Sequence, residues 1–235
     1  MAQYQLELQK YQRGQRKKQP VLRDFYPDMG KWISQALRNR GVWVALVPQG
    51  QFGRPFCRAL EHNSQWPVVF INNKQKLFVD ATTEKGKALF AGIGTGQTVY
   101  PDEFTRALNL GRYYLMYDRS EGAKKKGLDL LIKAYELNPT PAPVIEVLSL
   151  AVRFTPLHTE VTTFCQQIAD DFDEQADVFI KQDGYRGRLE AARMSCGFLA
   201  RLAQQRKRPA EAARYTQRAK EISAERDWQG AETRW

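Results

Sequence analysis

Residues 110–139, LGRYYLMYDRSEGAKKKGLDLLIKAYELNP, hold two apolar runs of helical period joined by a polar, glycine-containing turn. In the second run Leu128, Leu131, Ile132 and Tyr135 recur at spacings of three and four, the pattern of a helix that buries one face. Asn138-Pro139 then stops it, because proline has no N–H to continue the ladder. The first run reaches back to Phe104, so Phe104–Met116 and Lys125–Leu137 are predicted to form a helical hairpin. Towards the C-terminus the arrangement recurs: Val144–Phe154 pairs with Val161–Phe172 around Pro156, and Arg188–Gln204 pairs with Ala210–Arg226 around Pro209. Successive hairpins of this kind predict a short solenoid.

Towards the N-terminus the pattern changes. Between Ala81 and Pro101 the chain carries Gly86, Gly92, Gly94 and Gly96, a shift of composition that we take as the domain boundary, with Gly92–Gly96 read as a flexible linker. Before it, Met29, Trp32, Ile33, Ala36 and Leu37 predict an amphipathic helix over Asp28–Arg40, with Gly41 in the C-cap position. Val42–Val47 is a continuous β-branched and aromatic run that reads as a buried strand, and Gln49–Pro55 as loop. Trp66–Ile71 and Lys76–Val79 read as a β-hairpin around Asn72-Asn73. The expected fold is α+β: a small antiparallel sheet with a packed helix, followed by an all-α, repeat-like helical-hairpin domain. Its divisions are a basic, Gln-rich arm at residues 1–20, an α+β domain at 21–100 and a helical domain at 101–235.

Of the 235 residues, 43% are hydrophobic and 26% charged, which excludes a wholly disordered chain. The net charge of +10 implies attraction to anions, whether nucleic acid, acidic protein or lipid headgroups. No run approaches the roughly 18 apolar residues that span a bilayer, and Met1–Lys18 has no apolar core of the signal-peptide kind. The expectation is a cytoplasmic protein with no membrane partner. Cys57, Cys165 and Cys196 include no CxxC pair, which argues against a disulfide scaffold and a structural zinc site. With only His62 and His158, a His-rich metal enzyme is excluded, and no metal or cofactor is expected.

Residues 110–139 resemble a tetratricopeptide repeat. Gly111 and Tyr114 fall in its first helix, Gly127, Leu131 and Ala134 in its second, and Pro139 closes it. AYELNP is the most specific part, and the turn RSEGAKKKG is longer than the family's. The physical logic is that small residues let two helices approach while a larger one fills the gap between them. The hairpin Leu199–Ile222 has a similar pattern at Ala212 and Ala219. The resemblance implies an interaction module that binds a protein partner on its repeat face.

The order helix, Gly41, strand, loop, His62, hairpin and Asp80-Ala81-Thr82 is similar to part of a transglutaminase-like, papain-related cysteine enzyme core. There a cysteine at the helix start attacks a carbonyl, a histidine takes its proton and an aspartate orients the histidine. The helix start here, Tyr26-Pro27-Asp28, holds no cysteine, so the resemblance implies a degenerate, non-catalytic core. The alternative is a cysteine hydrolase or acyltransferase with Cys57 as nucleophile, His62 as base and Asp80 as orienting acid.

Two basic groups complete the candidates. Arg13, Arg16, Lys17, Lys18, Arg23, Arg38 and Arg40, with Tyr11, Phe25 and Tyr26 nearby, form a predicted polyanion-binding face. Arg206, Lys207 and Arg208, with Arg201, Arg214, Arg218 and Lys220, form a second. Gly92–Gly96 lacks the strand, helix and glycine spacing of a dinucleotide fingerprint, and Asp170, Asp171, Asp173 and Glu174 read as a solvated acidic face. The combined expectation is a non-catalytic adaptor or scaffold that binds a protein partner through helical repeats and docks on nucleic acid or another polyanion. A nucleic-acid-binding subunit of a larger assembly is a further alternative.

Overall fold

The structure is a computed structural model, and it describes residues 2–15, 18–153, 157–179 and 185–232. Arg16, Lys17, Phe154 and Pro156 lie outside the described residues, as do the side chains of Arg23, Asp173 and Glu174. The chain forms two compact units, Met1–Val99 and Tyr100–Trp235.

The first unit begins with helix α1 (Ala2–Gln12), a 3-10 turn (Leu22–Phe25) and helix α2 (Tyr26–Arg38). Pro27 sits in the first turn of α2, where its missing N–H has no role, and Gly41 takes φ +68° just beyond the helix end. The inner face of α2 buries Gly30, Ile33 and Ser34. Ser34 Oγ accepts a 2.8 Å hydrogen bond from the indole N–H of Trp66, so the largest buried side chain of this unit keeps its polar end satisfied.

Three antiparallel strands follow in the spatial order β1 (Val44–Pro48), β3 (Gln75–Val79), β2 (Val68–Ile71). β2 and β3 are the hairpin expected around Asn72, whose side-chain carbonyl accepts from the N–H groups of Lys74 and Gln75, both at 2.9 Å. β3 therefore lies in the centre, and Phe78 and Val79 are buried. The expected buried first strand is corrected: β1 is an edge strand, and Leu46 within it is 60% exposed. An apolar run signals strand, but its place in the sheet is set by which neighbour pairs with it.

Two further helices also correct the sequence reading. Helix α3 (Pro55–Glu61) follows the Gln49–Gln51 3-10 turn, buries Cys57, Ala59 and Leu60, and packs on α2. Helix α4 (Glu84–Gly94) lies within the expected boundary and runs into the Gly92–Gly96 stretch expected to be a flexible linker; Thr83 caps it by accepting from the Gly86 N–H at 3.1 Å, and it packs on β2 and β3. Two of its glycines, Gly86 and Gly92, are buried, so their small size serves packing.

The second unit is helical throughout its described residues: α5 (Glu103–Met116), α6 (Ala123–Leu137), α7 (Pro141–Arg153), α8 (His158–Phe179), α9 (Tyr185–Gln205) and α10 (Pro209–Glu232). Asp102 caps α5 through the Thr105 N–H at 2.6 Å. At its other end the Lys124 ammonium donates to the carbonyls of Tyr114, Leu115 and Asp118 at 3.1, 2.7 and 2.8 Å. α5 and α6 approach closely because a Cβ on Gly111 would lie 2.8 Å from Leu131 Cγ, and one on Gly127 would lie 2.9 Å from the Gly111 carbonyl. Leu131 and Ala134 are fully buried in this contact. α7 contacts α5, α6, α8 and α9, and α9 contacts α7, α8 and α10, so each pair packs on its neighbours. A buried ion pair between Arg112 and Glu146 links α5 to α7.

Two glycines of this unit predict opposite effects. Gly111→Ala forces apart atoms that are already in contact and is expected to destabilise by about 1 to 3 kcal/mol. Gly197→Ala, in α9 with nothing within 4 Å of the added Cβ, is expected to stabilise by roughly 0.5 to 1 kcal/mol. Urea unfolding of both variants measures the signs.

Candidate functional site

Of the residues proposed as nucleophile, base and acid, two belong to one short helix and its cap, while the third follows β3. Cys57 is fully buried in α3, and His62, the C-cap of the same helix, has its ring beside Tyr26 at a centroid separation of 5.6 Å. Asp80 is also fully buried, and its carboxylate faces Arg38: Nε donates to Oδ2 at 2.6 Å and Nη2 to Oδ1 at 2.9 Å. Oδ1 further accepts from the Thr82 N–H at 3.0 Å and its hydroxyl at 2.7 Å. The acid that would orient His62 is thus held by a guanidinium and a threonine.

That pair also revises the basic face. Arg38, expected to contact a polyanion, binds Asp80 and donates to Gln65 Oε1 at 2.9 Å. Burial raises the Asp80 carboxyl, but the hydrogen bonds from Arg38 and Thr82 and the nearby positive charge outweigh it and hold the group at about 2. The cleft beside the pair, about 490 Å³, includes Trp43, Thr82 and Lys85, yet Arg38, Asp80 and Thr82 are engaged with one another. Arg13, Lys18 and Arg40 are exposed, and Arg40 donates to the Ala36 carbonyl at 2.9 Å. In the second unit Arg206, Lys207 and Arg208 are exposed in the α9–α10 turn, where Lys207 adopts φ +57°.

A groove between α6, α8 and α9 is the better-formed concave feature, with a volume of about 260 Å³. Tyr135 and Phe164 meet edge to face at 5.5 Å, and with Ile132, Ile168 and Phe172 they form its apolar wall. Burial pushes the Tyr135 hydroxyl up to about 12, so it stays protonated as a donor. Glu136, Asp171 and Arg188 supply charge at the same groove, and Pro139, which closes the repeat-like stretch, lines it too. Small-molecule sites usually measure about 300 to 1,000 Å³, so this space suits one or two side chains of a polypeptide better than a whole cofactor. The sequence reading placed Tyr135 on the packing side of its helix but missed Phe164 and Arg188. Helical period marks an apolar face without saying which distant face it meets.

The remaining predicted residues are structural. Gly111, Gly127, Leu131 and Ala134 form the α5–α6 contact, while Tyr114 accepts a 2.8 Å hydrogen bond from Lys126, whose ammonium also lies 4.2 Å from the ring centre. Among the described residues no group of three His, Cys, Asp or Glu side chains is placed to hold a metal ion, and no helix is long and apolar enough to cross a membrane. Compared with protein-family models, curated proteins and solved structures, the chain matches none.

The Arg38–Asp80 pair predicts a pH signature. The folded carboxyl, at about 2, lies below the unfolded value of about 3.9, so its stabilisation is complete above about pH 5 and is lost as pH falls through about 2. Asp80→Asn is expected to cost about 3 kcal/mol at pH 7, the low end for breaking a buried pair because Arg38 remains partly solvated. The difference between wild type and variant, measured by urea unfolding from pH 7 to pH 2, is expected to shrink over that acid interval.

Proposed function

We propose that the protein is a non-catalytic adaptor whose helical unit binds a protein partner, and that the α6–α8–α9 groove receives an apolar side chain of that partner beside a basic one. The open groove carries this reading: an apolar wall with two carboxylates, Glu136 and Asp171, against one guanidinium, Arg188. This is an acidic mouth on a chain of net charge +10, and it complements a cationic segment better than an anionic one. The packing of each helix pair on its neighbours and the glycine-mediated α5–α6 approach support a repeat-like stack. The burial of Cys57 and the engagement of Asp80 by Arg38 favour binding over cysteine catalysis.

Glu136 and Gln167 are exposed, so the double variant Glu136→Lys/Gln167→Lys leaves the core untouched while reversing the charge of the groove. In capture from nuclease-treated cell extract, it is expected to retain the partner at least about tenfold less than wild type while keeping the same thermal midpoint. Equal retention would remove the groove from the function.

A second reading rests on the α9–α10 turn, where three consecutive basic side chains are exposed and the ion pair there joins Arg208 to Glu211 at 3.4 Å. We propose that this turn contacts a polyanion such as nucleic acid. Replacing Arg206, Lys207 and Arg208 by Ser is expected to make the plot of log affinity for single-stranded RNA against log salt shallower by about 2, one phosphate contact per residue. An unchanged slope would assign the turn to solubility alone.

A further inference from the structure

Strand β1 is joined to the sheet along one side only. The Asp80 N–H donates to the Trp43 carbonyl at 2.8 Å, and the Gln49 N–H donates to the Lys74 carbonyl at 2.7 Å. Ala45 lies opposite Phe78 and Val47 opposite Lys76. In an antiparallel ladder the bonding side alternates, so Trp43, Ala45, Val47 and Gln49 face β3 while Val44, Leu46 and Pro48 turn their main chain outward. Among the described residues, Val44 and Leu46 make no main-chain hydrogen bond outside the β1–β3 ladder. Pro48 has no N–H to offer, so the open edge presents two donors, at Val44 and Leu46.

The side chains at this edge are unusual for one facing water. Edge strands are commonly protected by charge, yet β1 reads Val-Ala-Leu-Val-Pro. Leu46 and Leu89 are 60% and 46% exposed, and with Phe70 and Leu77 they border a groove of about 310 Å³. α4 packs over β2 and β3 and leaves this apolar strip open.

Bases lie towards both ends of the strand. Arg40 precedes it, Lys85 places its ammonium 5.7 Å from the Trp43 ring centre, and Lys74 sits opposite Gln49 at the far end; all three are exposed. A second copy pairing β1 against β1 in antiparallel fashion would bring the Arg40 end of one chain against the Lys74 end of the other, like charge facing like. An extended segment with acidic ends is attracted by these three bases, which outnumber the exposed carboxylate of Glu84 beside Lys85.

We infer that β1 is a docking edge for an extended segment of a partner polypeptide, which adds a fourth strand beside Val44 and Leu46, places an apolar side chain in the Leu46–Leu89 groove and carries acidic residues at its ends. Main-chain bonds would hold the segment, and the groove and flanking bases would select it. The site is separate from the groove of the helical unit and does not rest on it.

The test uses the full chain and a fluorescein-labelled octapeptide of alternating Val and Thr with two acidic residues at each end. Binding is followed by anisotropy, and amide exchange at Val44 and Leu46 by NMR. Binding is expected to slow exchange at both amides at least tenfold. Leu46→Pro, which removes an outward N–H, and Leu46→Glu, which places a carboxylate at the groove, are each expected to weaken binding at least tenfold while the unbound proteins keep the wild-type near-ultraviolet dichroism. Should Leu46→Pro fail to fold, Leu46→Glu and a peptide N-methylated on alternate amides give the same readout. Absence of peptide binding, equal binding of a peptide with lysines at its ends, or a wild-type dimer that Leu46→Glu dissociates would each overturn the proposal, the last in favour of a second copy.

Discussion

A buried carboxylate at Asp80 must be satisfied where three elements of the first unit end or begin, and much of that unit's arrangement follows. Arg38 at the end of α2 neutralises it, Thr82 adds two donors to Oδ1, and the Asp80 carbonyl accepts from the Thr83 hydroxyl at 2.8 Å. The same carbonyl lies where a Cβ on Gly86 would fall, at 2.0 Å, so the first turn of α4 can close over the strand end only with glycine there. The ionic contact therefore joins the end of α2 to the end of β3, and the main chain of the same aspartate holds the start of α4.

The second unit solves a different problem. It contains no strand of its own among the described residues, so its helices bury their apolar faces against one another, and the spacing between α5 and α6 is set by absent side chains at Gly111 and Gly127. Lys124 completes this contact by bonding the carbonyls that α5 leaves open at its end. The Arg112–Glu146 pair carries the stacking on to α7, because separating those helices would leave a buried charge without its partner. Packing of this sort leaves crevices where three helices meet, and the Tyr135–Phe164 groove is one of them.

Much of the architecture was legible in the sequence because its signals are local. α2 with its terminal Gly41, the hairpin at Asn72 and the long periodic helices of the second unit each declare themselves within a dozen or so residues. α3 was not legible, being only the seven residues Pro55–Glu61 beside a glycine- and proline-containing loop, and α4 was obscured by glycines that pack closely. The site was less legible than the fold. Asp80-Ala81-Thr82 marked Asp80 as a residue of interest, but its partner is 42 positions away, and nothing near Arg38 says that its side chain turns inward. Phe164 and Tyr135 lie on different helices whose meeting depends on the whole stack.

Pro48 carries a kinetic consequence. By ending the open edge of β1 without an N–H, it limits the number of main-chain bonds that any added strand can form there to a few. A contact of that length dissociates readily, since affinity differences among related complexes reside mostly in the off-rate. Occupancy at such an edge would then depend on local concentration, and a chain that engages a second surface of the same partner raises that concentration by tethering alone. A short edge of this kind favours exchange of partners over permanent assembly.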